Sequence, residues 1–194
     1  KDATAAQRRE GGNHLIHAAR RNIDITCLLF NNHVYGMTGG QLSPTMPLGN
    51  KATTAPFGQI EPPFDLCRLV EGAGATFIAR GTAGRVRQLE KLIKQGIEHK
   101  GFSFVEAMVP CPTEYGRRNP PGNVLDMLDA QRAASISKAK AEQLPPEELA
   151  GKIVTGVLHE DNAKPEFQRA YEELSNHVQA EEAARLRRLR EGLR

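Results

Sequence analysis

With 194 residues, the chain is long enough for one sizeable domain and a short appended segment. Its 26 basic and 23 acidic residues nearly balance, which disfavours the concentrated basic surface of a nucleic-acid-binding protein. No apolar run approaches the roughly 20 residues that a membrane-spanning helix needs, and the polar start does not resemble a signal peptide. We therefore expect a cytoplasmic protein that binds neither nucleic acid nor a membrane.

The apolar pattern predicts alternating helices and strands as far as residue 109. In chain order it predicts helix 13–21, strand 23–30, an irregular segment 31–63, helix 64–73, strand 76–79, helix 82–100 and strand 102–109. The nearly continuous apolar run 23–30 is typical of a parallel strand that is covered on both faces. The alternation predicts an α/β fold with a parallel sheet flanked by helices.

After Pro110 the pattern becomes irregular, and the regular elements that it predicts are short. They are a helical turn or two at 124–130, a polar connector to about residue 143, an edge strand or extended arm at 152–158, and helices at 165–174 and 178–194. We divide the chain into a domain, 1–130, and a C-terminal extension, 131–194, with a connector, an irregular arm and an amphipathic helix. The Arg-rich tail is better explained as a solvated or partner-packed helix than as a site for RNA or membranes.

Two asparagines and a glycine-rich loop follow the predicted strand 23–30 abruptly. Open α/β sheets place ligands beyond the carboxyl ends of parallel strands, which is where Asn31 and Asn32 fall. Amide and carbonyl oxygens suit Mg²⁺ that is shared with a phosphate ligand, and Gly36 lets backbone approach such a ligand. Asn and Gly are also ordinary turn residues, so the residues alone leave a solvent-exposed loop equally open.

Several segments in order resemble the β subunit of 2-oxoacid:ferredoxin oxidoreductases, and most of all that of the 2-oxoglutarate enzyme, 2-oxoglutarate synthase. They are GGNHLIHAARRN from residue 11, NNHVYGMTGGQLSPT from residue 31 and EPPFDLCRLVEGAGATFIAR from residue 61. The resemblance covers residues 11–125, with a weaker similarity at 152–174. It implies a thiamine-diphosphate-binding fold and oxidative decarboxylation of a 2-oxoacid, such as 2-oxoglutarate to succinyl-CoA and CO₂ or the reverse, with electrons passed to ferredoxin.

The resemblance also implies which residues of the loop bind the cofactor. The side chain of Asn32 and the carbonyl of Val34 are expected to bind Mg²⁺. The residues that follow are expected to lie along the diphosphate and the thiazolium ring: Tyr35, Gly36, Met37 and Thr38. No residue is assigned as catalytic, because the cofactor supplies the chemistry of decarboxylation.

Cys111 has two interpretations. The three cysteines are far apart and form no CxxC pair, so the chain as given cannot close a metal site with them, and Cys27 and Cys67 are expected to be small buried thiols. The residues alone favour the same explanation for Cys111. The resemblance instead matches Cys111 to a remote ligand of a [4Fe–4S] cluster. It further implies an α subunit, ferredoxin, coenzyme A and a 2-oxoacid as partners.

The chain departs from the family pattern upstream of residue 11. An acidic GDG-type motif is expected there, but residues 4–10 read TAAQRRE, and three further cluster cysteines have no counterpart. We expect a longer upstream segment or a fragment; a degenerate, non-catalytic scaffold of the same fold is the alternative. His14 and His17 are better explained as structural, and Arg117 and Arg118 as a solvated pair.

Overall fold

The computed structural model describes residues 11–191, so the upstream segment TAAQRRE and Leu193 of the tail lie outside the described residues. The helices are α1 (Gly11–Arg21), α2 (Leu66–Gly72), α3 (Val86–Glu98), α4 (Val124–Ala134), α5 (Lys138–Ala141), α6 (Pro146–Leu149) and α7 (Phe167–Glu191). The strands are β1 (Thr26–Asn31), β2 (Val34–Tyr35), β3 (Gln41–Leu42), β4 (Phe77–Thr82), β5 (Ser103–Met108), β6 (Ser135–Ser137) and β7 (Ile153–Glu160).

The main sheet has the strand order β1-β5-β4-β7-β6, and β2 and β3 form a separate small hairpin. Strands β1, β5 and β4 run parallel to one another, whereas β7 is antiparallel to β4 and parallel to β6. The predicted α/β fold with a mostly parallel sheet is therefore confirmed. The prediction of an edge strand at 152–158 is wrong, because β7 lies between β4 and β6 inside the sheet.

Two apolar clusters form the core, one on each face of the sheet. Alternate side chains of a strand point to opposite faces, so Phe104 of β5 joins one cluster while Val105 joins the other. Helices α1 and α2 cover the face of Phe104, and α3 covers the opposite face through Leu89 and Leu92. All six residues of β5 are buried, so β5 lies at the centre of the domain.

Asn22 follows the last residue of α1 and joins the helix to the sheet. Its φ of 55° is left-handed, a conformation that Asn tolerates better than most residues. Its buried Oδ1 accepts hydrogen bonds from Thr76 Oγ1 at 2.7 Å and from the Phe102 amide at 2.8 Å. Its Nδ2 donates to the carbonyls of Lys164 and Pro165, so one amide ties the end of α1 to the residues just before β4, β5 and α7.

Strand β1 and helix α7 are less covered than the sequence suggests. Phe30 of β1 is 60% exposed, contrary to the expectation that this strand is covered on both faces. The predicted helices 165–174 and 178–194 join into the single helix α7, which has no buried residue. None of the helices in the described residues is both long and apolar enough to cross a membrane.

Candidate functional site at the carboxyl end of β1

The two asparagines lie at the carboxyl end of a parallel strand, as the sequence predicts. Asn31 is the last residue of β1 and is in register with Met108, the last residue of β5. Asn32 follows, and His33 then takes a left-handed φ of 66° that turns the chain into β2. The chain is therefore not extended at His33.

Asn31 is an internal support for this turn. It is 7% exposed, and its Nδ2 donates to Glu106 Oε1 at 2.7 Å. Its Oδ1 accepts from Thr45 Oγ1 at 2.7 Å and from the His33 amide at 3.1 Å. Every polar atom of this side chain is thus engaged within the protein, which makes Asn31 a structural residue.

Asn32 differs, because its side chain is only half-buried and lines an open cleft. Its Oδ1 lies 3.3 Å from the Val34 amide, a long hydrogen bond that holds the side chain next to the backbone of β2. Val34 and Tyr35 are buried and pair with β3. The predicted ligand group of Asn32 and Val34 therefore lies together on one wall of the cleft.

The glycine-rich turn after β2 is compact and does not line the cleft. A 3₁₀ turn spans Gly36–Thr38, and Gly39 closes it with a left-handed φ of 110°. Met37 is 89% exposed, and Thr38 Oγ1 donates to Gln41 Oε1 at 2.6 Å. Gly36, Met37 and Thr38, which the resemblance places along the cofactor, do not line the cleft.

The long irregular segment after β3 packs against the chain that follows β5. The Nδ1 of His33 donates to the Thr45 carbonyl at 2.8 Å, and the His33 ring packs against Tyr115 with centroids 5.5 Å apart. Asn119 hydrogen-bonds both the amide and the carbonyl of Lys51, at 2.8 and 2.9 Å. Met46 is fully buried between these segments, so the segment is ordered by tertiary contacts although it contains little regular structure.

The cleft has a volume of about 350 Å³ and two chemically different walls. One wall comes from the end of β1, from β2 and from the segment after β3, and it carries the polar side chains of the cleft; its residues are Asn31, Asn32, Val34, Tyr35, Ser43 and Thr45. The other is apolar: Leu15, Ile16, Leu29, Phe30, Phe64, Leu66, Leu69 and Phe104. Among the described residues that line the cleft, none carries a carboxylate, so a cation here needs negative ligands from the molecule bound with it.

A buried charged network, which was not predicted from the sequence, lies beneath the asparagines. Glu106 of β5 is 3% exposed and accepts from Arg80 Nε at 2.6 Å and from the Cys67 thiol at 3.4 Å. Arg80 also donates to Asp65, which caps α2. Burial alone would lower the pKa of Arg80, but the nearby carboxylates outweigh burial and raise this pKa. The Cys67 thiol is neutral when protonated, so burial raises its pKa. A glutamate inside the apolar strand FVEAM was the available signal.

Cys111 is buried in an apolar cluster below the loop, together with Val34, Met46 and Ala52. Its Sγ lies 3.7 Å from Thr113 Oγ1. Cys27 and Cys67 lie elsewhere, as partly and fully buried free thiols. In residues 11–191 no group of three or more His, Cys, Asp or Glu side chains is arranged to hold a metal, so Cys111 would be one ligand among others from outside this part of the chain.

The other polar residues considered as candidates do not line the cleft. His14 and His17 are exposed on α1 and do not line it. Arg118 pairs with Glu114 at 3.0 Å, and Arg117 is exposed.

Comparison with known proteins places this site in a family. Residues 9–107 match the model of the thiamine pyrophosphate enzymes, C-terminal TPP binding domain, and the chain belongs to this family. The 2-oxoglutarate synthase subunit KorB of Methanothermobacter marburgensis is 49% identical over 157 residues, which are 81% of this chain and 55% of that protein. The same subunit of Methanocaldococcus jannaschii is 52% identical over 157 residues, 81% of this chain and 58% of that protein.

A solved structure also resembles this fold. It is the 2-oxoglutarate:ferredoxin oxidoreductase from Magnetococcus marinus with 2-oxoglutarate, coenzyme A and succinyl-CoA bound, and it matches with a TM-score of 0.71 at 28% identity. The match covers 87% of this chain and 57% of that one. These relatives confirm the resemblance predicted from the sequence, and the chain spans somewhat more than half the length of the curated relatives named above.

Proposed function

We propose that this chain supplies the thiamine-diphosphate-binding part of a 2-oxoacid:ferredoxin oxidoreductase β subunit that uses 2-oxoglutarate. The observation that carries the proposal is the position of Asn32 and Val34 on the polar wall of a cleft at the carboxyl end of β1. The family match over residues 9–107 and the names of the relatives support the same reading.

The polar wall suits Mg²⁺ bound to a diphosphate. Mg²⁺ takes oxygen ligands and is commonly held by a few protein oxygens together with phosphate oxygens. The side-chain oxygen of Asn32 and the carbonyl of Val34 are the oxygens that would hold the ion from this chain. A neutral wall favours a metal whose negative ligands arrive with the cofactor, and further protein ligands would come from outside residues 11–191.

Thiamine diphosphate supplies, when bound, a carbanion that adds to the 2-oxoacid and an electron sink for decarboxylation. The residues of this chain bind and orient the cofactor. Val34 and Tyr35 are buried in β2 and fix the wall, while the side chains of Phe64 and Leu66 offer apolar contact on the opposite wall.

Cys111 is proposed as one thiolate ligand of a [4Fe–4S] cluster. Cys111 is almost fully buried and lies next to Gly36, in the turn that follows Val34 and Tyr35, so a cluster held there would be close enough to the cleft to accept electrons from the cofactor. The α subunit, ferredoxin and coenzyme A complete the proposed reaction as partners, in keeping with the coenzyme A and succinyl-CoA named for the Magnetococcus enzyme.

The test is an Asn32→Ala variant in the full-length protein within its native complex. Because the variant removes one proposed Mg²⁺ ligand, we expect thiamine diphosphate affinity, measured calorimetrically with Mg²⁺ present, to fall at least about tenfold. Asn176→Ala, on the exposed surface of α7, is the matched control and should bind as wild type. Equal affinity for thiamine diphosphate in the two variants would show that Asn32 does not hold the metal. A wild-type complex that assembles but binds no thiamine diphosphate would instead support the scaffold alternative.

A further inference from the structure

Glu106 is a carboxylate buried in the central strand of the sheet, and its two oxygens face different partners. Oε1 accepts from Asn31 Nδ2 at 2.7 Å, while Oε2 accepts from Arg80 Nε at 2.6 Å and from the Cys67 thiol at 3.4 Å. A buried charge is tolerated only when it is paired and hydrogen-bonded, and here both oxygens are satisfied. The carboxylate therefore links the charged network on one side to the end of β1 on the other.

Arg80 fixes the side chain of Glu106 in this position. Its guanidinium spans two carboxylates, since Nη2 also donates to Asp65 at 2.7 Å. Asp65 in turn accepts from the Cys67 amide at the start of α2. The orientation of Glu106 is thus set by Arg80 of β4, which Asp65 at the N-terminal cap of α2 holds in turn.

The charge on Glu106 decides which way the Asn31 amide faces. An ionised carboxylate can only accept hydrogen bonds, so Asn31 must present its NH₂ group to Glu106 and its oxygen to the opposite side. That oxygen accepts from the His33 amide and from Thr45 Oγ1. These bonds hold the left-handed turn at His33 and join the strand end to the segment after β3, with Asn32 between them.

We propose that Glu106 is a positioning residue, which fixes the Asn31 amide and thereby the placement of Asn32 and Val34 on the cleft wall. The inference rests on the proposed function in so far as Asn32 and Val34 hold a metal–diphosphate. A simple stabilising ion pair between Glu106 and Arg80 is the competing explanation. It differs because it gives no role to the bond with Asn31.

A pair of substitutions separates the two explanations by moving the charge across this bond. In Glu106→Gln, an NH₂ group replaces one carboxylate oxygen. This NH₂ group must face either the NH₂ of Asn31 or the N–H of Arg80, so that two hydrogen-bond donors face each other. In Asn31→Asp, two carboxylates face each other at the present 2.7 Å separation. In the double variant, the amide at position 106 donates to the carboxylate at position 31 and still accepts from Arg80. The carboxylate at position 31 still accepts from His33 and Thr45, and the net charge is unchanged.

Two readouts are measured on the full-length protein in its native complex. The first is backbone amide hydrogen exchange over residues 32–36 without cofactor, and the second is the Kd for thiamine diphosphate with Mg²⁺. We expect Glu106→Gln to speed exchange of the His33 amide and to weaken binding about tenfold, as loss of a supporting hydrogen bond commonly does. The double variant should restore both towards wild type. Thr76→Val disturbs a different buried polar bond, to Asn22, and serves as the control that should change neither.

Two results would overturn the inference. One is wild-type exchange and wild-type Kd in Glu106→Gln. The other is a double variant that is no better than the worse single variant, which would leave only a stabilising ion pair. Failure of the proposed function would look different: the wild-type complex would bind no thiamine diphosphate, while the exchange of the His33 amide would still decide whether Glu106 positions the loop.

Discussion

Asn32 and Cys111 meet at one glycine: Asn32 Nδ2 and Cys111 Sγ lie 3.7 and 3.4 Å from the point that a Cβ on Gly36 would occupy. The two residues belong to segments far apart in the chain, one after β1 and the other after β5. Parallel pairing of these strands brings the segments together, and the Val109 amide extends the pairing by donating to the Asn31 carbonyl at 2.9 Å. The proposed metal ligand and the proposed cluster ligand are therefore neighbours in the fold.

Replacing Cys111 with Ser tests the cluster assignment. Since a [4Fe–4S] cluster is commonly held by four thiolates, we expect loss of most of the cluster iron and of electron transfer to ferredoxin. Thiamine diphosphate affinity should change little, because Asn32 and Val34 remain. The measurement is iron and acid-labile sulfide per chain after anaerobic purification. Cys27→Ser, at a half-buried free thiol of β1, is the control; equal iron in both variants would show that Cys111 only packs in the core.

Gly36 should accept a methyl group and reject a larger side chain. A Cβ there meets Cys111 and Asn32 at ordinary contact distances, so Gly36→Ala should change the free energy of unfolding by less than about 1 kcal/mol. Gly36→Leu places further carbons between the same two side chains, and one of them must move. We expect the leucine variant alone to lose thiamine diphosphate affinity, cluster iron or both. If Gly36→Leu binds thiamine diphosphate and holds iron as well as Gly36→Ala does, then Gly36 does not lie in close contact with Asn32 and Cys111 in the complex.

The sequence predicts those parts of the fold that depend on continuous apolar patterns. Strand β5 and helix α3 could be predicted because the apolar residues of each segment are spaced as a strand or a helix requires. The position of Asn31 and Asn32 at a strand end could be predicted because the apolar run of β1 stops at Phe30. Strand β6 does not, because Ser135–Ser137 has no apolar pattern and becomes a strand only by pairing with β7.

The residues that hold the candidate site in place were harder to predict than the residues proposed to bind the metal. Glu106 is visible in the sequence as a charge in an apolar strand, but its partners Arg80 and Asn31 lie 26 and 75 residues away. The left-handed φ of His33 is equally hidden, since a histidine does not signal that conformation as glycine would. Motif positions could be assigned from local residues, whereas the contacts that orient them required the tertiary structure.

His33 should make stability fall in mildly acidic solution. Burial lowers the pKa of His33 below its ordinary value of 6.5, and the Thr45 carbonyl and the charge of Glu106 oppose this only in part. Above that value both the folded and the unfolded chain hold a neutral imidazole, and the residue contributes no pH dependence. As the pH falls below 6.5, the unfolded chain takes up a proton that the folded protein resists, so the free energy of unfolding decreases until the folded pKa is reached.

Urea unfolding at about pH 7.5 and about pH 5.5 measures this loss, which one histidine limits to about 1.4 kcal/mol per pH unit. His33→Asn is the suitable variant, because Asn tolerates the left-handed φ and does not titrate. We expect the variant to lose less stability than wild type between the two pH values. His99, whose pKa is also lowered by burial, contributes in the same direction in both proteins, and His99→Gln measures its share. An equal loss in wild type and His33→Asn would mean that the buried imidazole is protonated as readily in the folded protein as in the unfolded chain.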